Sequence, residues 1–211
     1  KQERTLSIEG KEYTLLISDE PQALLEAKAS GRAVLGCLDT GDGEGASRDF
    51  QGIPYVVPSM EYVTEELLEL ILCRYLGLPW LIDETERLYI REFVKEDAEN
   101  IPEEEYGKEE EIFRDPDKLE VYIKNQYGFY EYGTWAVLKK SPSLLIGMAG
   151  VSNPNLPETA LQALPTLPDD LCWLELGYHI FKPYRKNGYA TEAAKAILSY
   201  SHEVLSARLC A

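Results

Sequence analysis

The hydrophobic pattern changes its period once near the C-terminal end of the sequence. Residues 174–180 alternate apolar and polar side chains, which predicts a β-strand, and Pro183 ends it because proline has no N–H to donate. Apolar residues at 189–205 recur at three- and four-residue spacings, which predicts an amphipathic helix. The pattern therefore predicts a strand, a short turn and a long helix.

Shorter stretches upstream carry the same two periods. Alternation predicts a strand at residues 87–93, and two apolar runs at 134–139 and 144–151 predict a hairpin. Residues 95–120 are rich in Asp and Glu and contain Pro and Gly, which predicts two short helices and a loop. Together these elements predict a domain over residues 84–211.

Residues 1–80 have a pattern of their own. Pro21 suits the first turn of a predicted helix, and Gly77 is the residue type favoured just after a helix end. The predicted elements are a hairpin of residues 5–8 and 13–18, helices at 21–29 and 65–76, and strands at 33–38 and 54–57. This order predicts a small parallel α/β unit in front of the second domain.

Composition excludes several classes of protein. No apolar run is long enough to span a membrane, and the first residues do not form a signal peptide, so we expect a cytoplasmic protein without membrane contact. The four cysteines have no paired spacing, which favours buried thiols over a disulfide framework or a metal site. The net charge of −16 argues against nucleic-acid binding and suits either a cationic partner or a solvated acidic surface.

The turn between the predicted strand and long helix has the chemistry of an anion site. A helix start leaves backbone N–H groups unpaired at the positive end of the helix dipole. Gly188 permits a positive φ angle and close approach by a ligand, while Arg185 and Lys186 add positive charge. The segment therefore predicts phosphate or pyrophosphate binding, with an ordinary connecting loop as the alternative.

This turn resembles the signature of the GNAT acetyltransferases, [Q/R]-x-x-G-x-[G/A], through Arg185-Lys186-Asn187-Gly188-Tyr189-Ala190. The resemblance extends to residues 84–93, ETERLYIREF, to the following Glu96-Asp97-Ala98, and to residues 175–178 and 188–193. These motifs are typical of the branch that contains ribosomal-protein N-terminal acetyltransferases. The resemblance implies a GNAT fold, in which a mixed, largely antiparallel sheet is flanked by helices.

The same resemblance implies acetyl-CoA as cosubstrate. The pantetheine would pair with the main chain of the strand, and the pyrophosphate would sit on the turn. The implied cofactor-binding residues are Tyr178, His179, Ile180, Arg185, Lys186, Asn187, Gly188, Tyr189 and Ala190. A backbone N–H near Gly177 would polarise the thioester carbonyl.

Acetyl transfer to an amine needs a group that takes the proton of the amine. Glu175 is the best-placed carboxylate on the strand, with His179 as a second candidate and a structural charge as the alternative. The acceptor would be a small-molecule amine or a protein N-terminus. The aromatic residues Tyr127, Phe129, Tyr130 and Tyr132 suit either an acceptor pocket or core packing. A non-catalytic acyl-CoA-binding or sensor module is the alternative function.

Two further expectations concern the ends of the chain. Residues 1–80 faintly resemble part of a haloacid-dehalogenase-type domain, but they lack its DxD motif, which predicts a non-catalytic accessory unit. GNAT folds continue beyond the strand that starts at Ala207, so we expect residues 84–211 to be a C-terminally incomplete domain whose general acid has no assignable residue.

Overall fold

The computed structural model describes residues 1–38, 49–103, 109–155 and 172–210. The chain divides into two compact units, Lys1–Trp80 and Leu81–Ala211. No helix of the described residues combines the length and the apolar character that a membrane span requires. The same residues contain no group of His, Cys, Asp and Glu side chains that could hold a metal ion. Cys37 is buried and Cys73 is partly buried.

The first unit is a four-stranded sheet with the order β1-β2-β3-β4. β1 and β2 form the predicted antiparallel hairpin, and β2, β3 and β4 are parallel, so the sheet is mixed with a parallel α/β part. Its elements are β1 (Gln2–Ile8), β2 (Lys11–Ser18), α1 (Pro21–Ala29), β3 (Ala33–Cys37), β4 (Val56–Val57), a 3-10 turn (Met60–Tyr62) and α2 (Glu65–Leu76).

The alternation of β2 places its side chains against both helices. Leu15 and Ile17 pack in one buried cluster with Leu72 of α2, and Leu16 packs in another with Leu24 of α1. The side chain of Thr64 caps the start of α2, and Gly77 ends that helix with φ 71°, as its sequence position predicts.

The second unit is a six-stranded sheet with the order β10-β9-β8-β7-β6-β5. All neighbouring strands are antiparallel except β9 and β10, which confirms the predicted mixed, largely antiparallel sheet. The strands are β5 (Leu81–Glu84), β6 (Leu88–Arg91), β7 (Thr134–Lys139), β8 (Leu144–Ser152), β9 (Cys172–Ile180) and β10 (Ala207–Cys210).

Helices cover both faces of this sheet. The long predicted helix is α5 (Tyr189–Glu203), whose Tyr200 meets Trp135 of β7 edge to face at 5.5 Å. The other face carries a cluster of Phe93, Phe113, Leu119 and Phe181. It is covered by 3-10 turns (Lys95–Asn100 and Glu109–Phe113), α3 (Pro116–Tyr122), a π-helical turn (Ile123–Tyr127) and a short helical turn α4 (Gly128–Tyr130). Below, the two faces are called the α5 face and the α3 face.

Candidate active site

One edge of β9 is left open where the sheet divides. β10 pairs only with residues 172–174 of β9, whereas β8 pairs with residues 175–180. Among the described residues, no strand therefore covers the β10-side edge of β9 between Glu175 and Ile180. An extended chain of another molecule could add to such an edge through main-chain hydrogen bonds.

The register shows which peptide groups of β9 face this open edge. The N–H of Phe181 donates to the carbonyl of Ile146 on the β8 side, at 2.9 Å. Because hydrogen-bonding direction alternates along an antiparallel strand, the peptide groups of His179 also point toward β8, and those of Tyr178 and Ile180 point toward the open edge. Of the three strand residues predicted to bind the cofactor, His179 does not present its main chain to that edge.

Arg185 already occupies part of the open edge. Its Nε donates to the carbonyl of Ile180 at 2.7 Å, and its guanidinium lies 3.3 Å from the Nε2 of His179. The side chain therefore runs back along β9, and the carbonyl of Ile180 has an internal partner. Tyr178 is the other outward-facing residue of the three, and its side chain is exposed.

The predicted anion turn has an unusual backbone between β9 and α5. Lys186 and Gly188 both adopt left-handed conformations, with φ 63° and 81°. The side-chain amide of Asn187 donates to the carbonyls of Tyr184 and Arg185, each at 3.0 Å, which closes the turn. The first N–H groups of α5 have no acceptor within the helix, as at any helix start. Gly188 is the N-cap of α5 and has no side chain that could cap them.

Thr85, Arg87 and Glu192, to which the sequence analysis gave no role, hold this turn from the start of β6. Arg87 Nε and Nη2 contact Oε2 of Glu192 at 2.7 and 2.5 Å, and the hydroxyl of Thr85 donates to Oε1 at 2.6 Å. Arg87 Nη1 also donates to the carbonyl of Asn187 at 3.0 Å, and its guanidinium lies 4.6 Å from the ring centroid of Tyr189. All of these residues except Asn187 lie in the motif stretches quoted above, and Asn187 lies in the signature itself.

These contacts favour the ionised form of Glu192. Its partial burial alone would raise the pKa of the carboxyl group, but hydrogen bonds from Thr85 and Arg87 and the charge of the guanidinium hold the pKa below its ordinary value. Gly188 sits against this pair, since a Cβ atom added there would lie 3.5 Å from Arg87 Nη2.

Glu175 lies on the α3 face of β9, where it is half-buried. Its Oε2 accepts a hydrogen bond from the N–H of Asn155 at 3.2 Å. Five residues of strand separate it from Ile180, which at about 3.4 Å per residue is about 17 Å. The candidate base and the anion turn are therefore at opposite ends of the open edge.

Exposed aromatic rings lie at the same end of the sheet as Glu175. Ser152 of β8 is opposite Glu175, and the β7 register continued to Tyr132 places that residue opposite Ser152. Tyr132 and Glu175 are thus two strand spacings apart, about 10 Å, on the α3 face. Phe129 is 79% exposed and stacks edge to face with Tyr130 at 4.8 Å.

Tyr127 differs from its aromatic neighbours. It is buried, its hydroxyl donates to the carbonyl of Thr134 at 2.5 Å, and it accepts from the N–H of Phe93 at 3.3 Å. Burial raises the pKa of this phenol well above its ordinary value. Of the four aromatic residues considered from the sequence, Tyr127 belongs to the core, while Phe129 and Tyr130 are open to solvent.

Comparison of the sequence with known protein families identifies the family of residues 87–211. A sequence model of the acetyltransferase (GNAT) domain matches residues 87–211, more than half of the chain. Curated proteins gave no match. The match does not include residues 1–80, whose resemblance to a haloacid-dehalogenase-type domain is not confirmed.

Several solved structures of acetyltransferases are similar to this chain. A GNAT-family acetyltransferase from Bacillus anthracis is 21% identical, with a TM-score of 0.39 over 59% of this chain and 68% of its own. An acetyltransferase from Agrobacterium tumefaciens is 20% identical, with a TM-score of 0.38 over 61% and 70%. The ribosomal-protein-S5-alanine acetyltransferase from Vibrio fischeri is 14% identical, with a TM-score of 0.44 over 61% and 69%. On the domain match over residues 87–211, the chain belongs to the GNAT acetyltransferase family.

Proposed function

We propose that residues 84–211 form an acetyltransferase domain that transfers an acetyl group from acetyl-CoA to a primary amine of a cationic acceptor. The observation that carries the proposal is the continuity of the site. An open strand edge on β9 leads directly into a basic turn at the start of a 15-residue helix. This order suits a cosubstrate with a long amide-containing arm attached to a pyrophosphate.

The turn supplies the groups that a pyrophosphate needs. The N–H groups of Tyr189 and Ala190 lie in the first helical turn, where the helix dipole favours negative charge. Lys186 is exposed beside them and adds a mobile positive charge, while Asn187 uses its side chain to hold the turn closed. In this assignment Gly188 contributes its left-handed backbone rather than a side chain.

The open edge of β9 supplies the remaining contacts. The carbonyl of Tyr178 would accept from an amide N–H of the arm, and the N–H of Tyr178 is the donor best directed to polarise the thioester carbonyl. The amine nitrogen forms a bond to the carbonyl carbon, the carbon–sulfur bond breaks, and the thiolate of CoA leaves. Glu175 would take the proton that the amine loses, directly or through water.

The acceptor would enter from the end of the sheet where Glu175 lies. The exposed rings of Phe129 and Tyr130 border this end, and aromatic faces attract ammonium groups. Glu131, which follows Tyr130, adds an exposed carboxylate. These side chains suit a cationic amine as acceptor, whether it belongs to a small molecule or to a protein N-terminus.

One observation favours a second function, a non-catalytic acyl-CoA-binding module. One oxygen of Glu175 already accepts from the main chain of Asn155, as a structural carboxylate would. In that case the turn and the open edge would bind the thioester, but no residue would deprotonate an amine. The two functions differ in turnover and agree in cofactor binding.

Calorimetric titration of acetyl-CoA into the parent and into Gly188→Trp tests the cofactor site. We expect binding by the parent and none by the variant, because the indole would fill the space at the turn. Gly10→Trp is the matched control, since Gly10 also has a positive φ of 77° and open space around it but lies in the first unit. Equal binding by the parent and Gly188→Trp would place the cofactor elsewhere.

Glu175→Gln separates the two functions. For the enzyme, we expect kcat with a panel of amines to fall by about 100-fold or more, because general-base catalysis contributes about that factor, while acetyl-CoA affinity stays unchanged. A parent that binds acetyl-CoA and acetylates none of the amines, over a panel of polyamines, aminoglycosides and peptides, would support the binding module instead.

A further inference from the structure

Arg87 and Glu192 are 105 residues apart in sequence, yet they form a direct link between the start of β6 and the first turn of α5. We infer that this pair, together with Thr85, is a positioning clamp that fixes the orientation of the turn carrying the cofactor pyrophosphate. The inference rests on the proposed function, because it concerns the same turn. None of these residues is assigned to touch the cosubstrate.

The clamp holds Glu192 from two directions. Oε1 accepts from the main-chain N–H of Arg87 at 3.0 Å and from the hydroxyl of Thr85, and Oε2 accepts from the guanidinium of Arg87. A forked guanidinium and a main-chain N–H together fix both the position and the rotation of the carboxylate. The first turn of α5 is therefore tied to the segment that precedes β6.

The same guanidinium also orients a peptide plane within the turn. Arg87 Nη1 donates to the carbonyl of Asn187, the residue before Gly188. Because a trans peptide is planar with its C=O and N–H on opposite sides, this bond makes the N–H of Gly188 point away from Arg87. Without the bond, the Asn187–Gly188 peptide could rotate, since glycine permits many backbone conformations.

The turn needs an external support because its own backbone is strained. Lys186 is a non-glycine residue with φ 63°, a conformation that L-residues other than Asn and Asp rarely adopt. Contact of the guanidinium with the ring of Tyr189 places a second constraint on the other side of Gly188. Arg87 thus contacts the residues on both sides of the N-cap glycine.

Most of the positive charge of Arg87 is matched by Glu192, which distinguishes it from Lys186. Arg87 donates to the carboxylate and to a main-chain carbonyl, and both acceptors belong to the protein. We therefore assign it a positioning role and expect its effect on the cosubstrate to act through the turn.

The test compares two acetyl donors, acetyl-CoA and acetyl-pantetheine, which lacks the pyrophosphate. The variants are Arg87→Lys, which keeps the charge but loses the fork, and Glu192→Gln, which keeps the shape but loses the charge. Glu120→Gln is the control, because it breaks the ion pair of Glu120 with Lys95, at 2.7 Å in the same unit, and Glu120 lies in α3, on the opposite face of the sheet from α5. Affinity is measured by calorimetry, and KM is measured for each donor.

We expect each clamp variant to bind acetyl-CoA about tenfold more weakly than the parent, as loss of a charge-assisted hydrogen bond would cause. The affinity of each variant for acetyl-pantetheine should stay within about twofold of that of the parent. The double variant should bind acetyl-CoA no more weakly than the weaker-binding single variant, because both substitutions break the same contact. Glu120→Gln should resemble the parent with both donors.

The outcomes separate the clamp from the proposed function. Suppose that the parent binds acetyl-CoA. If the clamp variants then bind both donors equally more weakly, or bind acetyl-CoA as tightly as the parent does, the clamp is overturned and the proposed function is not. A parent that binds neither donor would overturn the proposed function and the clamp with it. If Arg87→Lys fails to fold, Glu192→Gln gives the same comparison without removing the guanidinium.

Discussion

Two arginines flank strand β6, and each forms two contacts with a carboxylate. Arg91 ends the strand and contacts both oxygens of Asp97, six residues later, at 2.7 and 2.9 Å. Arg87 precedes the strand and contacts Glu192, 105 residues later. The side chains of the first pair are 18% and 7% exposed, and those of the second are 43% and 17% exposed. The chemistry is the same, but the surroundings differ.

We expect the difference in surroundings to separate a pair that stabilises the fold from a pair that shapes the proposed cofactor site. Asp97 also accepts from the N–H of Val94, so the Arg91 pair closes the 3-10 turn (Lys95–Asn100) onto the buried cluster around Phe93. The Arg87 pair instead ends at a solvent-exposed turn, the one proposed above to bind the pyrophosphate. Burial therefore predicts that the first pair governs stability and that the second governs cofactor affinity.

We expect the largest loss of stability from Arg91→Ala. Removing the arginine leaves Asp97 buried without its charge partner, so we expect the free energy of unfolding to fall by about 3 kcal/mol. Arg87→Ala should cost about 1 kcal/mol or less, because partly exposed pairs contribute little to stability. Urea unfolding of both variants, followed by tryptophan fluorescence, measures the two costs.

The ratio of these two costs is what the comparison depends on. A larger loss of stability for Arg87→Ala than for Arg91→Ala would show that the Arg87 pair is part of the structural core, and the division between the pairs would be wrong. If the folded Arg91→Ala variant keeps the parental affinity for acetyl-CoA, the result supports the division between the Arg91 pair and the Arg87 pair.

A medium effect is expected for Thr85→Val. The substitution keeps the volume of the side chain but removes a hydroxyl that donates to Glu192 and accepts from the N–H of Leu88 at 3.0 Å. Losing one partner from a partly buried network costs about 1 kcal/mol. We expect a decrease of that size in urea unfolding and a decrease of a few-fold in acetyl-CoA affinity.

Thr5→Val is a suitable control, because Thr5 forms an exposed hydrogen bond with Thr14 at 3.0 Å in the first unit. Thr5→Val should leave both the free energy of unfolding and the acetyl-CoA affinity close to those of the parent. An unchanged acetyl-CoA affinity in Thr85→Val, with the loss of stability present, would restrict the clamp to the arginine and the glutamate.

Local periodicity predicted the elements of the second unit better than it predicted their contacts. The strand, turn and helix around Gly188 are where the sequence pattern puts them, since period two and period 3.6 are local properties. The Arg87–Glu192 contact depends on how β5, β6 and α5 meet in space, and no local pattern carries that information. The quoted motifs contained both residues but gave neither a role.

The direction of the main chain was also beyond sequence reasoning. The prediction treated Tyr178, His179 and Ile180 alike, whereas the register of β8 and β9 turns the peptide groups of His179 toward β8. The carbonyl of Ile180 is taken by Arg185, a contact that depends on the path of the turn. The prolines between Ser152 and Asp170 predict a long irregular loop, most of which lies outside the described residues.

The smallest expected effect is a pH dependence that belongs to the Arg87 pair. The pKa of Glu192 is lowered in the folded state from its ordinary value of 4.5, so its pairing stabilises the fold fully above that value and is lost as the pH falls through the folded-state pKa. The stability difference between the parent and Glu192→Gln should therefore be constant at about pH 5–8 and shrink below about pH 4.5. Urea unfolding of both proteins across this pH range measures the difference. Groups that titrate alike in the two proteins cancel when one free energy of unfolding is subtracted from the other. A difference that grew on acidification would mean that protonated Glu192 is the better partner, and the charge of the clamp would then not contribute to holding the turn.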